Sequence, residues 1–256
     1  MVTELLFQRD SYLRRFEATV IEVTREGVVL DRTAFHPTSG GVANDTGWLY
    51  SSQRRYEVRD VVVDKSSGEV IHILDTTEGL SPGTSVTGEI NWERRYRLMR
   101  LHTAAHILSA VMYSDYGSLV TGGDVEPDKA KEDYDIQGDE REIFSTAAGK
   151  VNEIIKRGVE VKIYWLSRDE AMRIPGIVKL AARTPPEVKN LRIVEIEGVD
   201  IQADGGPHVR NTAEIGRFVL LKTENKGKRR KRIYYTVEPG WYYLSETTHT
   251  INDLRA

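Results

Sequence analysis

Two short segments, far apart in the chain, hold the residues whose types and spacing could do chemistry. His102-Thr103-Ala104-Ala105-His106 places two imidazoles four residues apart; on a helix such a pair lies on one face and can converge on a single ion. Gln202-Ala203-Asp204-Gly205-Gly206-Pro207-His208 adds a carboxylate and a third imidazole, from a turn that two glycines allow to fold tightly. Taken singly, each segment has an ordinary reading: paired histidines pack in helices, and Asp-Gly-Gly-Pro makes surface turns. Taken together, His102, His106, Asp204 and His208 form a nitrogen and oxygen donor set suited to one Zn²⁺ ion. Residue 103 is Thr where a zinc protease of the HExxH kind needs its glutamate base, which disfavours that class. The chain has no cysteine and no Gly-x-Ser-x-Gly elbow, so it offers neither a thiolate nucleophile nor that serine-hydrolase motif.

These donors need elements that bring them together. From Asn91, a suitable N-cap, to Tyr116, with Gly117 as the stop, the spacing predicts one long helix carrying the first motif. Its Leu98, Leu101, Ala105, Leu108 and Met112 make an apolar stripe, with the histidines at the edge of the buried side. A second helix is expected over 140–156, a β-rich segment over 159–166, a short helix around 168–173 and a strand over 191–196. Segments 214–223 and 232–237 read as a hairpin joined by a basic turn. Residues 1–89 are instead β-rich: 17–23, 28–30, 58–63, 70–74 and 86–90 are short apolar or alternating runs separated by turn residues, the pattern of a small barrel or sandwich. The fold expected is α+β: an N-terminal small β-barrel domain over 1–89, then an α/β two-layer domain with a largely antiparallel sheet over 90–256.

The net charge of −3 excludes recognition of nucleic acid by bulk charge, but not by a local basic surface. Lys226, Lys228, Arg229, Arg230, Lys231 and Arg232 crowd six cations into the probable hairpin turn, and Arg94, Arg95, Arg97 and Arg100 surround the start of the long helix. The first cluster is the better candidate for phosphate contact; for the second, a solvated helix surface carries equal weight. The N-terminus lacks a basic and apolar leader, and no apolar run reaches the ~18 residues of a membrane span. A cytoplasmic protein without membrane or obligate protein partner is expected.

The two donor motifs, in this order, resemble the editing domain shared by alanyl-tRNA synthetase and the AlaX-type alanyl-tRNA editing proteins, in which HxxxH is followed by CxxxH. Phe35-His36-Pro37-Thr38-Ser39-Gly40-Gly41 with Asp45-Thr46-Gly47, the stretch Val120 to Lys129, and Asn225 to Tyr235 are similar to further segments of that family. The resemblance implies a medium-length, two-domain editing protein. It implies hydrolysis, with His102 and His106 at the catalytic centre, of the ester joining serine to tRNA(Ala), with glycine the alternative amino acid. By position it assigns Thr121 to the pocket that reads the amino acid, and 90–256 to the editing domain. Asp204 stands where the family has Cys, a harder donor with a weaker preference for zinc. Pro207 replaces Thr, and Ser39 and Val42 interrupt a Gly-Gly-Gly-Gln run. Two other readings stay open: a tRNA-binding module with a structural metal, and a metal hydrolase of small esters or amides. Whether the metal would activate water or anchor the substrate's amino group is left undecided.

Overall fold

The computed structural model describes residues 3–52, 54–177 and 188–239 of the 256-residue chain. Two compact units result, Met1–Tyr96 and Arg97–Ala256.

The first unit contains β1 (Glu4–Leu5), β2 (Arg15–Val23), β3 (Gly27–Leu30), β4 (Arg32–Thr33), β5 (Gly47–Tyr50), β6 (Arg55–Val63), β7 (Val70–Leu74) and β8 (Ser85–Ile90). Six of these close a barrel in the order β2-β3-β7-β6-β5-β8, and every pairing in it is antiparallel. Alternation supplies the interior: Phe16, Ala18 and Val20 on β2, Tyr56 and Val58 on β6, Val70 and Leu74 on β7 all point into one core. At Gly88 a Cβ would lie 2.3 Å from the Phe16 ring, so only glycine lets β8 pass there. Two polar devices are sealed inside. Asp45 pairs with Arg95, both side chains fully buried, and Arg95 also donates to Ser11 O and Ala34 O. His72 bonds Val28 O through Nδ1 at 3.2 Å and Thr33 Oγ1 through Nε2 at 2.8 Å; burial pushes its pKa down to about 4, so the ring is neutral.

The long helix α1 (Trp92–Tyr116) forms where the sequence places it, and Asn91 Oδ1 accepts the Arg94 N–H at 3.2 Å. Its burial differs from expectation. Every residue from Arg97 to Met112 is buried, so no exposed polar face exists beside the apolar stripe over that stretch. Buried polar groups need partners, and the arginines show what this requires. Arg97 donates to the carbonyls of Pro127, Val237 and Pro239, and Arg100 to those of Ile215 and Pro239. With Arg95 buried on Asp45, three of the four helix arginines are internal clamps rather than a phosphate-facing surface. Arg94 is half-buried and donates to Asn44 O at 2.8 Å.

After α1 come β9 (Val120–Val125), β10 (Ala130–Asp135), α2 (Glu140–Lys156), β11 (Val161–Ser167), α3 (Arg168–Ala171), β12 (Asn190–Ile196), β13 (Asp200–Ala203), β14 (Arg217–Asn225) and β15 (Arg230–Glu238). They build two antiparallel sheets, β14-β15-β10-β9 and β11-β12-β13. Asp139 caps α2, whose Phe144, Ala147, Val151 and Ile155 are buried, and Asn152 bonds both backbone groups of Phe218 on β14. The hairpin's first strand begins at Arg217, because Asn211 caps a 3-10 turn over Thr212–Ile215. Strand β10, charged in sequence, is feasible because buried Asp133 faces Arg230 and Arg232 of β15. Among the described residues, no helix is long and apolar enough to cross a membrane.

Candidate metal centre

Helix α1 supplies His102 and His106, and the turn leaving β13 supplies Asp204 and His208. One ligand atom from each of the four lies within 4.8 Å of the others. His208 Nε2 is 3.2 Å from Asp204 Oδ1, while His102 Nε2 and His106 Nε2 are 3.7 and 4.0 Å from Asp204 Oδ2. Tetrahedral bonds of zinc length separate neighbouring donors by about 3.3 Å. The cluster therefore fits one small divalent ion once its widest-spaced donors close by about 1.5 Å.

Each imidazole is held from behind by an oxygen on its other nitrogen. His102 Nδ1 donates to Pro207 O at 3.3 Å, His208 Nδ1 to Thr103 Oγ1 at 3.1 Å, and His106 Nδ1 to Asp200 Oδ2 at 3.1 Å. Thr103 can accept because its own hydroxyl donates to Met99 O; it accepts from Val209 N–H as well. Asp200 is fixed by Gln202 Nε2 at 2.9 Å, and that amide also reaches Ser109 Oγ at 3.2 Å. A hydrogen bond at Nδ1 leaves the Nε2 lone pair for a metal. All three Nε2 atoms gather on the Asp204 carboxylate.

Strand β13 explains how Asp200, Gln202 and Asp204 reach one side. Ile201 and Ala203 join an apolar cluster with Tyr164, Leu166, Leu191 and Ile193, so the residues between them face the other way, toward α1. Gly206 lets the turn close: a Cβ there would sit 2.7 Å from His102 Cε1, and its N–H donates to Asp204 Oδ1 at 2.7 Å. The electrostatics agree with a donor set. Burial would raise the Asp204 carboxyl, but His102, then His208 and His106, hold it well below the usual carboxylate range. Burial and the charge of His102 push His208 well below its ordinary value, which keeps the ring neutral. Nearby, buried Glu132 is pushed up to about 8 by desolvation, against a hydrogen bond from Tyr134 and the charge of His106.

The remaining candidates are not among the four clustered donors. Thr121 is exposed on β9, with its hydroxyl donating to Asp133 O at 3.2 Å. The basic run is split between a turn and a strand. Lys226 pairs with Glu224, Arg229 with Asp135, and Arg230 and Arg232 with Asp133. Lys231 falls on the buried face of β15, 4.0 Å from Glu140. Lys228 is exposed and has no ion pair among the described residues. His36 is buried, edge-on to Phe7 and bonded to Ala43 O, and serves as an anchor of its own loop. His249 and the Trp241-Tyr242-Tyr243 cluster lie outside the described residues. Thr103, Asp200 and Gln202 went unnoticed in the sequence as supports of the site; the alternation Asp200-x-Gln202-x-Asp204 is the signal that could have found two of them.

Residues 191–234 match the family of the second additional domain of threonyl and alanyl tRNA synthetases, and residues 8–94 match class II (A) tRNA synthetases. The chain is 50% identical over 239 residues to alanyl-tRNA editing protein AlaX-M of Saccharolobus solfataricus, which covers 93% of this chain and 100% of that one. It is 40% identical to AlaX-M of Methanosarcina barkeri, over 92% of this chain and 99% of the relative. Alanine–tRNA ligase of Ignicoccus hospitalis is 37% identical over 86% of this chain, a match that takes in 24% of the ligase. Both units thus have relatives among the domains of tRNA synthetases. The chain belongs to the family of alanyl-tRNA editing proteins of the AlaX-M type.

Proposed function

We propose that the chain is a trans-editing hydrolase that releases serine, and also glycine, from mischarged tRNA(Ala) in the cytoplasm, with one Zn²⁺ held by His102, His106, Asp204 and His208. The observation that carries this reading is the convergence of three imidazoles and one carboxylate, each imidazole braced from behind. When bound, the ion supplies positive charge that can lower the pKa of water, polarise the ester carbonyl or anchor the free α-amino group. The chain's own residues do the positioning. His102, His106 and His208 each rest Nδ1 against an oxygen, and Asp200 and Thr103 keep two of the rings from turning. An aminoacyl ester is already activated, so a well-placed site suffices without a covalent intermediate. Thr121 is assigned to reading the serine hydroxyl, since a site built to pair an OH rejects its absence. The 226–232 segment, with Lys228 exposed and outside any ion pair among the described residues, is assigned to the tRNA backbone.

One feature favours a second reading, a tRNA-binding module with a structural metal. Four protein donors can close a tetrahedron completely, as structural zinc sites do. Deacylation of seryl-tRNA(Ala) and alanyl-tRNA(Ala) by metal-loaded protein separates the two. Serine release with alanine retained, lowered at least ~100-fold in His106→Ala, supports editing. Thr121→Val is expected to keep its metal and narrow the serine-over-alanine ratio by roughly tenfold or more. Metal-loaded, folded protein that releases neither amino acid supports the binding module. Salt-insensitive cleavage of a small ester instead supports a general hydrolase.

A further inference from the structure

The side of the β11-β12-β13 sheet that carries Asp200 and Gln202 ends in a row of three residues. Trp165 on β11 pairs directly with Arg192 on β12, and Asp204 N–H donates to Arg192 O at 3.1 Å, continuing the ladder past the end of β13. Directly opposed residues project their side chains from the same face. With strands ~4.8 Å apart, Trp165, Arg192 and Asp204 form a line two strand spacings long. The inner end is a donor of the metal cluster. The middle is a buried guanidinium whose Nη1 donates to Asp204 O at 2.8 Å. The outer end is an indole ring left 45% exposed on the sheet's outer strand.

An exposed aromatic in line with a cation and a catalytic centre has a chemical counterpart. The ester of an aminoacyl-tRNA sits on the ribose of its terminal adenosine, so a purine must lie within one nucleoside's length of the scissile bond. Aromatic faces bind nucleobases by stacking, and such a contact needs an open ring rather than a packed one. We propose that Trp165 is the platform on which the terminal nucleobase of the tRNA stacks, with Arg192 filling the row between the base and the metal cluster. The inference rests on the editing reading and adds a nucleobase subsite to it.

The test is calorimetric titration of the metal-loaded full chain with two non-hydrolysable compounds. One is 3′-(serylamino)-3′-deoxyadenosine; the other is the same molecule with hydrogen in place of the base. Trp165→Ala is expected to weaken the adenosine compound by roughly tenfold and leave the baseless one unchanged, with Trp165→Phe restoring most of the loss. A loss confined to the adenosine compound separates the subsite from unfolding, and the Phe variant controls for it. Unchanged affinity for the adenosine compound, or equal loss for both compounds, overturns the subsite. A change in oligomeric state with base-independent affinity also overturns it and marks the indole as a contact between copies of the chain. If the wild type releases serine while Trp165→Ala shows no base-dependent loss, only the subsite fails; a wild type that binds neither compound and releases no serine removes the editing reading as well.

Discussion

At the scale of single residues, the site is defined less by its four donors than by the groups behind them. A histidine on a helix can rotate and can carry its proton on either nitrogen. Pro207 O, Thr103 Oγ1 and Asp200 Oδ2 remove both freedoms. That the four would cluster was legible because two motifs of metal-ligand type and spacing occur in one chain. Their supports were not, because a backbone carbonyl, a threonine and an aspartate have no signature until the fold brings them into register. Thr103 illustrates this: in sequence it marks only a missing glutamate, whereas in the structure it orients His208. Asp200→Ala is expected to weaken metal affinity by ~10–100-fold in chelator competition, and Asp200→Asn, which keeps an acceptor for His106 Nδ1, by less. Equal affinity of Asp200→Ala and wild type would show that His106 needs no brace.

At the scale of elements, periodicity decided what could be read. The 3.6-residue pattern placed α1 and α2 closely, and the short alternating runs of the first unit foretold its barrel. Strands β10 and β13 were missed because their polar residues face inward and are satisfied there, which inverts the usual pattern. The basic hairpin is the same lesson in charge. Six cations within seven positions read as a phosphate-binding turn, yet β15 turns Lys231 to the buried side and engages Arg230 and Arg232 with Asp133. The two kinds of cation should separate on mutation. Lys228→Ala is expected to leave the melting temperature unchanged and reduce the salt slope of tRNA binding by about one. Arg232→Ala is expected to cost ~1–3 kcal/mol of stability by depriving the buried Asp133 carboxylate of a partner. Identical melting of the two variants would contradict this division.

At the scale of the whole molecule, the two units depend on different chemistry. The first has a buried neutral histidine, His72, whose pKa is about 4 when folded and about 6.5 when unfolded. Its contribution is complete above pH 6.5 and is lost as pH falls toward 4, a total of about 3 kcal/mol. Melting between pH 7 and 5 should therefore shift less in His72→Gln than in the wild type; parallel shifts would exclude His72 as the cause. The second unit holds the donor cluster, and there the absence of sulfur has a consequence of its own. A thiolate ligand can be converted by peroxide to sulfenic acid, which releases its metal. Three imidazoles and a carboxylate have no place on that ladder, and a chain with no cysteine cannot supply one. Where the family motif has a cysteine, Asp204 would offer a metal a harder oxygen donor, one that oxidants of thiols leave chemically intact.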